Sequence, residues 1–97
     1  MYGLIGKVTA HPGQREVLAQ LLADGLAHRA GCLSYVVALD SASTNAIWVT
    51  EVWPDEPTYQ ASIDNAMVRA FGARIWPLIA TMDEPILTEP VGGLLWA

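Results

Sequence analysis

"IWVTEVWPDEPTY", residues 47–59, sets two tryptophans and a glutamate in a run of β-branched residues, then breaks at Pro-Asp-Glu-Pro before a tyrosine. Ile, Val and Thr at this density favour a strand. Asp55 followed by Glu56 and Pro57 predicts the capped first turn of a helix. Side chains alternate across a strand, so Ile47, Val49, Glu51 and Trp53 share one face, and Trp48, Thr50 and Val52 share the other. Glu51 is then a carboxylate among aliphatic and aromatic neighbours. Deprived of water, it must find donors or take a raised pKa. Donors from a loop or a second subunit make it structural; a raised pKa suits it to proton transfer.

The alternation extends in both directions. Tyr2 to Ala10 places Leu4 and Val8 on one face and Ile5, Lys7 and Thr9 on the other, which predicts a strand. "HPGQ", residues 11–14, is a turn. Val17, Leu18, Leu21, Leu22 and Leu26 then recur at helical spacing, and Gly31 after Ala30 suits a left-handed cap. Cys32 to Leu39 is a second strand, "DSASTN" (residues 40–45) a hairpin loop, and Ala46 to Trp53 the third strand. The second helix starts at Asp55, breaks near Asn65 and resumes through Met67, Phe71, Ile75 and Leu78, with Pro77 bending it. Pro85 to Val91 is the last strand, its prolines marking an edge or its ends. The order βαββαβ predicts one α+β, ferredoxin-like domain over residues 1–97, a four-stranded antiparallel sheet with both helices on one face.

Of the 97 residues, 53% are hydrophobic and only 15% charged, more apolar side chain than so small an interior can hide. The surplus and the bare sheet face call for a second copy, hence a homodimer. Trp48 belongs by parity to that interface. Trp76, Trp96 and the tail "LLWA" are packing or dimer anchors. Five scattered Lys and Arg residues against ten Asp and Glu argue against nucleic acid. No uncharged run approaches the roughly 18 residues of a membrane span, and Met1 to Lys7 lacks the layout of a signal peptide. One cysteine, Cys32, excludes an internal disulfide. A cytoplasmic protein without membrane partners is expected. His11 and His28 fit a solvated turn and a helix C-terminus, respectively.

Glu51-Val52-Trp53, the Asp55-Glu56 helix start and Tyr59 six residues beyond the tryptophan resemble the antibiotic biosynthesis monooxygenase family. Pro12-Gly13 and Gly31-Cys32 fit its layout, so the resemblance covers nearly the whole chain. It implies subunits paired into a dimeric α+β barrel, each with a cavity between helices and sheet. It also implies oxidation of a small aromatic phenol, quinol or polyketide-type substrate by O2, without metal, flavin or other cofactor. By that match Trp53 holds the substrate through its indole N–H, and Tyr59 hydrogen-bonds a substrate oxygen. Arg74, with Arg69 as an alternative, stabilises an oxyanion from the edge of the face bearing Met67 and Phe71.

Ser62 stands where many members carry a helix histidine, and Ala66-Met67 where a Pro-His pair follows. Val49 replaces a polar residue of some members. Ser62 and Val49 are retained as pocket positions, and proton transfer falls to Glu51, Tyr59, a water or nothing at all. Gly6, Ser62 and Gly72 replace the haem-degrading branch's asparagine, tryptophan and histidine, so haem oxygenation is not expected. The missing histidine also leaves open a non-oxidative binding protein or an isomerase on the same scaffold.

Overall fold

Strand β1 (Tyr2–Ala10) runs through the middle of an antiparallel sheet in the computed structural model, which describes residues 1–95. Along the chain follow α1 (Arg15–Leu26), β2 (Ser34–Leu39), β3 (Ala46–Trp53), α2 (Glu56–Ile63), α3 (Ala66–Ile75), β4 (Ile79–Met82) and β5 (Ile86–Thr88). The strand order is β2-β3-β1-β4, with β5 also pairing β1. This is the expected ferredoxin-like α+β arrangement, but with five strands instead of four and three helices instead of two.

Both amendments have local causes. Asn65 Oδ1 accepts from the backbone N–H groups of Met67 (2.8 Å) and Val68 (3.4 Å), so the expected break restarts as a separately capped helix. Asp55 Oδ1 does the same for α2 through Thr58 N at 2.8 Å. Helix α3 stops at Ile75, where Pro77 tightens Trp76–Leu78 into a single 3-10 turn and does not merely bend the helix. Ile79 then emerges extended, which produces β4. The strand expected from Pro85 to Val91 is only Ile86–Thr88. Prolines donate no ladder hydrogen bond and bracket it on both sides. Thus β5 covers Gly3–Ile5 of β1, and β4 covers Val8–Ala10, with a register shift between Thr9 and Ala10.

Register places Val8 opposite Ile47, Leu4 opposite Glu51 and Tyr2 opposite Trp53. The core is Val8, Ala10, Leu18, Leu22, Ile47, Ile75 and Ile79. Leu18 and Ile47 are fully buried, each contributing about 1.5–3 kcal/mol. Val17, grouped by spacing with Leu18, is 53% exposed. One residue is about 100° around a helix, and Leu18 and Leu22 take the direction facing the sheet. A Cβ on Gly25 would lie 2.3 Å from the Phe71 ring, so glycine permits α1 and α3 to cross closely there. Beyond α1, Gly31 (φ +86°) reverses the chain into β2, the left-handed position expected of it. Among the described residues no helix is long and apolar enough to cross a membrane.

The sheet face away from the helices carries Trp48, with Val36 and Ile86 exposed beside it. Trp48 Nε1 donates to Asp40 Oδ2 at 2.7 Å, and Lys7 Nζ lies 5.4 Å from its ring centroid. Asp40 Oδ1 accepts from the backbone of Ala42 and Ser43, both at 2.8 Å. The Ser43 amide, then the Trp48 indole and the Ala42 amide, bring the Asp40 carboxyl from its ordinary 3.8 down to about 2. A depressed carboxyl pKa stabilises the fold above the unfolded value, and that contribution fades as pH falls through the folded one. The urea midpoint of the wild type should therefore exceed that of Asp40→Asn by a constant margin above pH 3.8, narrowing as pH approaches about 2. A margin unchanged across that window would show that the hairpin bonds do not depend on the charge.

Candidate active site

The end of β3 away from the core carries the polar chemistry. Glu51 lies between Leu4 of β1 and Tyr35 of β2. Its Oε1 accepts from Trp53 Nε1 at 3.1 Å and forms an ion pair with Arg29 Nη2. The turn after α1 supplies Arg29, whose Nε donates to Leu26 O at 3.1 Å and so serves a carbonyl at the helix end. Its guanidinium carbon lies 4.9 Å from the Trp53 ring centroid and 5.4 Å from that of Tyr35. A planar guanidinium suits both roles, stacking on rings while donating in its plane. The two charged side chains are 7% (Arg29) and 16% (Glu51) exposed. Glu51 thus finds donors within its own chain.

Beside this cluster a cleft of about 230 Å3 opens between sheet and helices. Leu4, Val8, Leu22, Leu26, Val49 and Ile75 make it apolar, while Glu51, Tyr35 and Tyr59 bring polar atoms. Met82, Asp83 and Pro85, where β4 gives way to β5, lie on its rim. The Tyr35 hydroxyl donates to Leu22 O at 3.1 Å, and burial pushes that phenol well up. Tyr59 projects from α2, edge-on to Trp53 at 5.7 Å and tilted against Tyr2 at 5.5 Å. Burial, then the negative charge of Glu51, hold its hydroxyl above the ordinary value of 10.0. At neutral pH Tyr59 is therefore a hydrogen-bond donor.

Glu51, Tyr59 and Val49 come together on the cleft. Trp53 does not present its N–H there: the side chain is fully buried and the indole proton is given to Glu51. Ser62 Oγ instead accepts from Arg29 Nη1 at 3.5 Å and, with Met67, lines an outer groove of about 420 Å3. Met67 is 82% exposed. Phe71 and Arg74 flank a second outer groove, with the Arg74 guanidinium 5.9 Å from the Phe71 ring centroid. Helix α3 turns Ile75 inward, which carries its neighbour Arg74 about 100° away from the cleft. Arg69 pairs with Asp64 at 3.1 Å on the surface.

The cation paired with Glu51 is Arg29, which the sequence reading did not single out. The signal for it was the need of a buried carboxylate for a cation, in a chain with only five Lys and Arg residues. His11 and His28 are exposed. Burial pushes the Cys32 thiol up, in keeping with a small hydrophobe. Trp96 lies outside the described residues, and Trp76 is 65% exposed. No three His, Cys, Asp or Glu side chains among the described residues are placed to hold a metal ion.

Fold and cleft define a ferredoxin-like α+β protein with an apolar cleft between helices and sheet. The family model described as antibiotic biosynthesis monooxygenase matches residues 1–74, and the chain belongs to that family. The matched span includes Arg29, Glu51, Trp53 and Tyr59. A crystal structure of a proposed antibiotic biosynthesis monooxygenase from Chloroflexus aurantiacus J-10-fl is 48% identical, covering 96% of this chain and 95% of that one, with a TM-score of 0.88. One from Deinococcus radiodurans is 20% identical, covering 97% and 96%, with a TM-score of 0.79. A Pseudomonas aeruginosa protein is 22% identical, covering 94% of each chain, with a TM-score of 0.78. The latter two share the fold. No curated protein matches the chain.

Proposed function

We propose that the protein is a cofactor-independent monooxygenase that converts a small aromatic phenol or quinol into a quinone with O2. Family membership supports the monooxygenase-like role. The observation that carries the site is the apolar cleft with Glu51 and Tyr59 among its few polar groups. In the reaction the substrate hydroxyl loses its proton, and the resulting anion passes one electron to O2. The two radicals join through a new bond from a ring carbon to oxygen, and a proton completes the hydroperoxide. The C–H bond at that carbon and the O–O bond then break, releasing water and leaving a carbonyl. One oxygen atom ends in the quinone and one in water, and the substrate supplies all four electrons.

Such chemistry asks the protein to exclude water, orient the ring and steady developing charge. Tyr59, kept protonated, is suited to donate to the substrate oxygen as charge builds there. At about 230 Å3 the cleft is smaller than the roughly 300–1,000 Å3 of ordinary ligand pockets, which favours one or two fused rings.

Oxygen uptake with a panel of hydroquinones, naphthols and anthrones tests this directly. Uptake no faster than autoxidation in buffer, for every compound, rejects the proposal. Tyr59→Phe should lower kcat by about 100-fold, the effect of losing one preorganised donor. An unchanged kcat would remove Tyr59 from the site.

The engaged Trp53 N–H and Ser62 in place of a histidine favour a second reading, a non-oxidative binding protein or an isomerase. Ligand-induced stabilisation without oxygen consumption supports the former, and a product of unchanged mass the latter. Under either reading two copies would pair through the sheet face bearing Val36, Trp48 and Ile86. A monomeric mass on sedimentation at micromolar concentration would exclude that pairing.

A further inference from the structure

We propose that Glu51, held by Arg29, selects the ligand: its free oxygen takes a hydrogen bond from an uncharged aromatic hydroxyl and turns away carboxylated aromatics. The inference rests on the cleft being the ligand site of the function proposed above, and it names the chemistry that site recognises. Glu51 Oε1 already receives the Trp53 N–H and the Arg29 guanidinium. Among the described residues Oε2 has no hydrogen-bond partner. No side-chain nitrogen or oxygen there is both buried and unpartnered, so Oε2 keeps some open surface on a side chain otherwise 84% enclosed, the complement of its 16% exposure. Glu51 lines the cleft, and that is where an incoming group meets it.

A carboxylate oxygen only accepts, so its partner must bring a hydrogen. The oxygen is also fixed in place. Arg29 is tied to Leu26 O and Ser62 Oγ and sits against two aromatic rings, while Trp53 Nε1 donates to the same carboxylate oxygen. A donor that fits therefore meets an acceptor with little freedom to lose, which is the condition for strong discrimination between a hydroxyl and its ether.

Charge adds the second criterion. The positive charge of Arg29 is matched by Glu51 itself. Lys7 borders the cleft, but its ammonium lies over Trp48 on the opposite face of the sheet. Asp83 stands on the rim. An anionic ligand entering the cleft meets one carboxylate at the rim and another inside, with no unmatched cation facing it among the described residues.

The test is equilibrium binding without oxygen, read by tryptophan fluorescence or calorimetry at neutral pH, using 1-naphthol, 1-methoxynaphthalene and 1-naphthoate. The wild-type protein should bind 1-naphthol about 10- to 100-fold tighter than the methyl ether, the range for one hydrogen bond to a charged group, with 1-naphthoate weakest. In Glu51→Gln the preference over the ether should shrink to a few-fold and the naphthoate should gain. Equal affinities for all three in the wild type, no binding of any, or a full preference retained in Glu51→Gln each overturns the inference. If that variant does not fold, the wild-type series decides alone. Oxygen uptake measured separately in air, across the full panel named for the proposed function, separates the two claims. Selective binding without uptake keeps this inference and sinks the oxygenase reading, whereas oxidation without selectivity does the reverse.

Discussion

Arg29→Met should cost the fold roughly 3–5 kcal/mol, the usual penalty for leaving one member of a buried ion pair alone. Glu51 would remain as a carboxylate only 16% exposed, with Trp53 as its remaining donor. The variant also loses the bond to Leu26 O and the stacking on Trp53 and Tyr35. The double variant Arg29→Met/Glu51→Leu should recover most of the loss, since neither charge then needs desolvating. Urea unfolding of the wild type, both single variants and the double variant closes the cycle. If Arg29→Met alone stays within about 1 kcal/mol of the wild type, as exposed pairs do, then water reaches the pair and it is not a structural element.

Trp53→Ala should be comparably severe, about 3–5 kcal/mol, because a fully buried tryptophan leaves a large void. Trp53→Phe separates the two jobs of the side chain. It keeps most of the ring but withdraws the N–H from Glu51, which should cost about 1–3 kcal/mol. The indole reaches the cleft only through that carboxylate, so on the proposed function Trp53→Phe should change turnover by loosening Glu51 and not by removing a ligand contact. Equal urea midpoints for Trp53→Ala and the wild type would refute the packing account. The costs at Arg29 and Trp53 will not add, because the two side chains touch each other and share Glu51.

Local periodicities carried well from sequence to structure. Alternation along β3 is a two-residue repeat, so the common face of Glu51 and Trp53 did not depend on the rest of the fold. The Asp55 cap, the break at Asn65 and the left-handed Gly31 were likewise decided by residues next to them. What escaped was set by long-range packing. Strand β4 exists because β1 offers it an edge, and "IATM" after Pro77 carries no strong strand signal by itself. Arg74 was the natural cation to choose on α3, but which side of a helix faces the sheet follows from Ile75 winning the interior. Arg29 lies 22 positions from Glu51, in a turn whose path no short pattern reveals.

Gly31 is solvent-facing, yet it is not free to vary. Its φ of +86° is one that side chains rarely adopt, and a Cβ there would come within 2.5 Å of Thr58 Cγ2. Thr58 is pinned by Asp55 at the start of α2 and is followed directly by Tyr59. Arg29 lies two positions upstream of Gly31. One exposed glycine therefore sets the spacing between the segment that supplies the cation and the one that supplies the phenol. On the proposed function, drift at residue 31 in a lineage of this protein should surface as a shift in the compounds accepted, although residue 31 does not line the cleft.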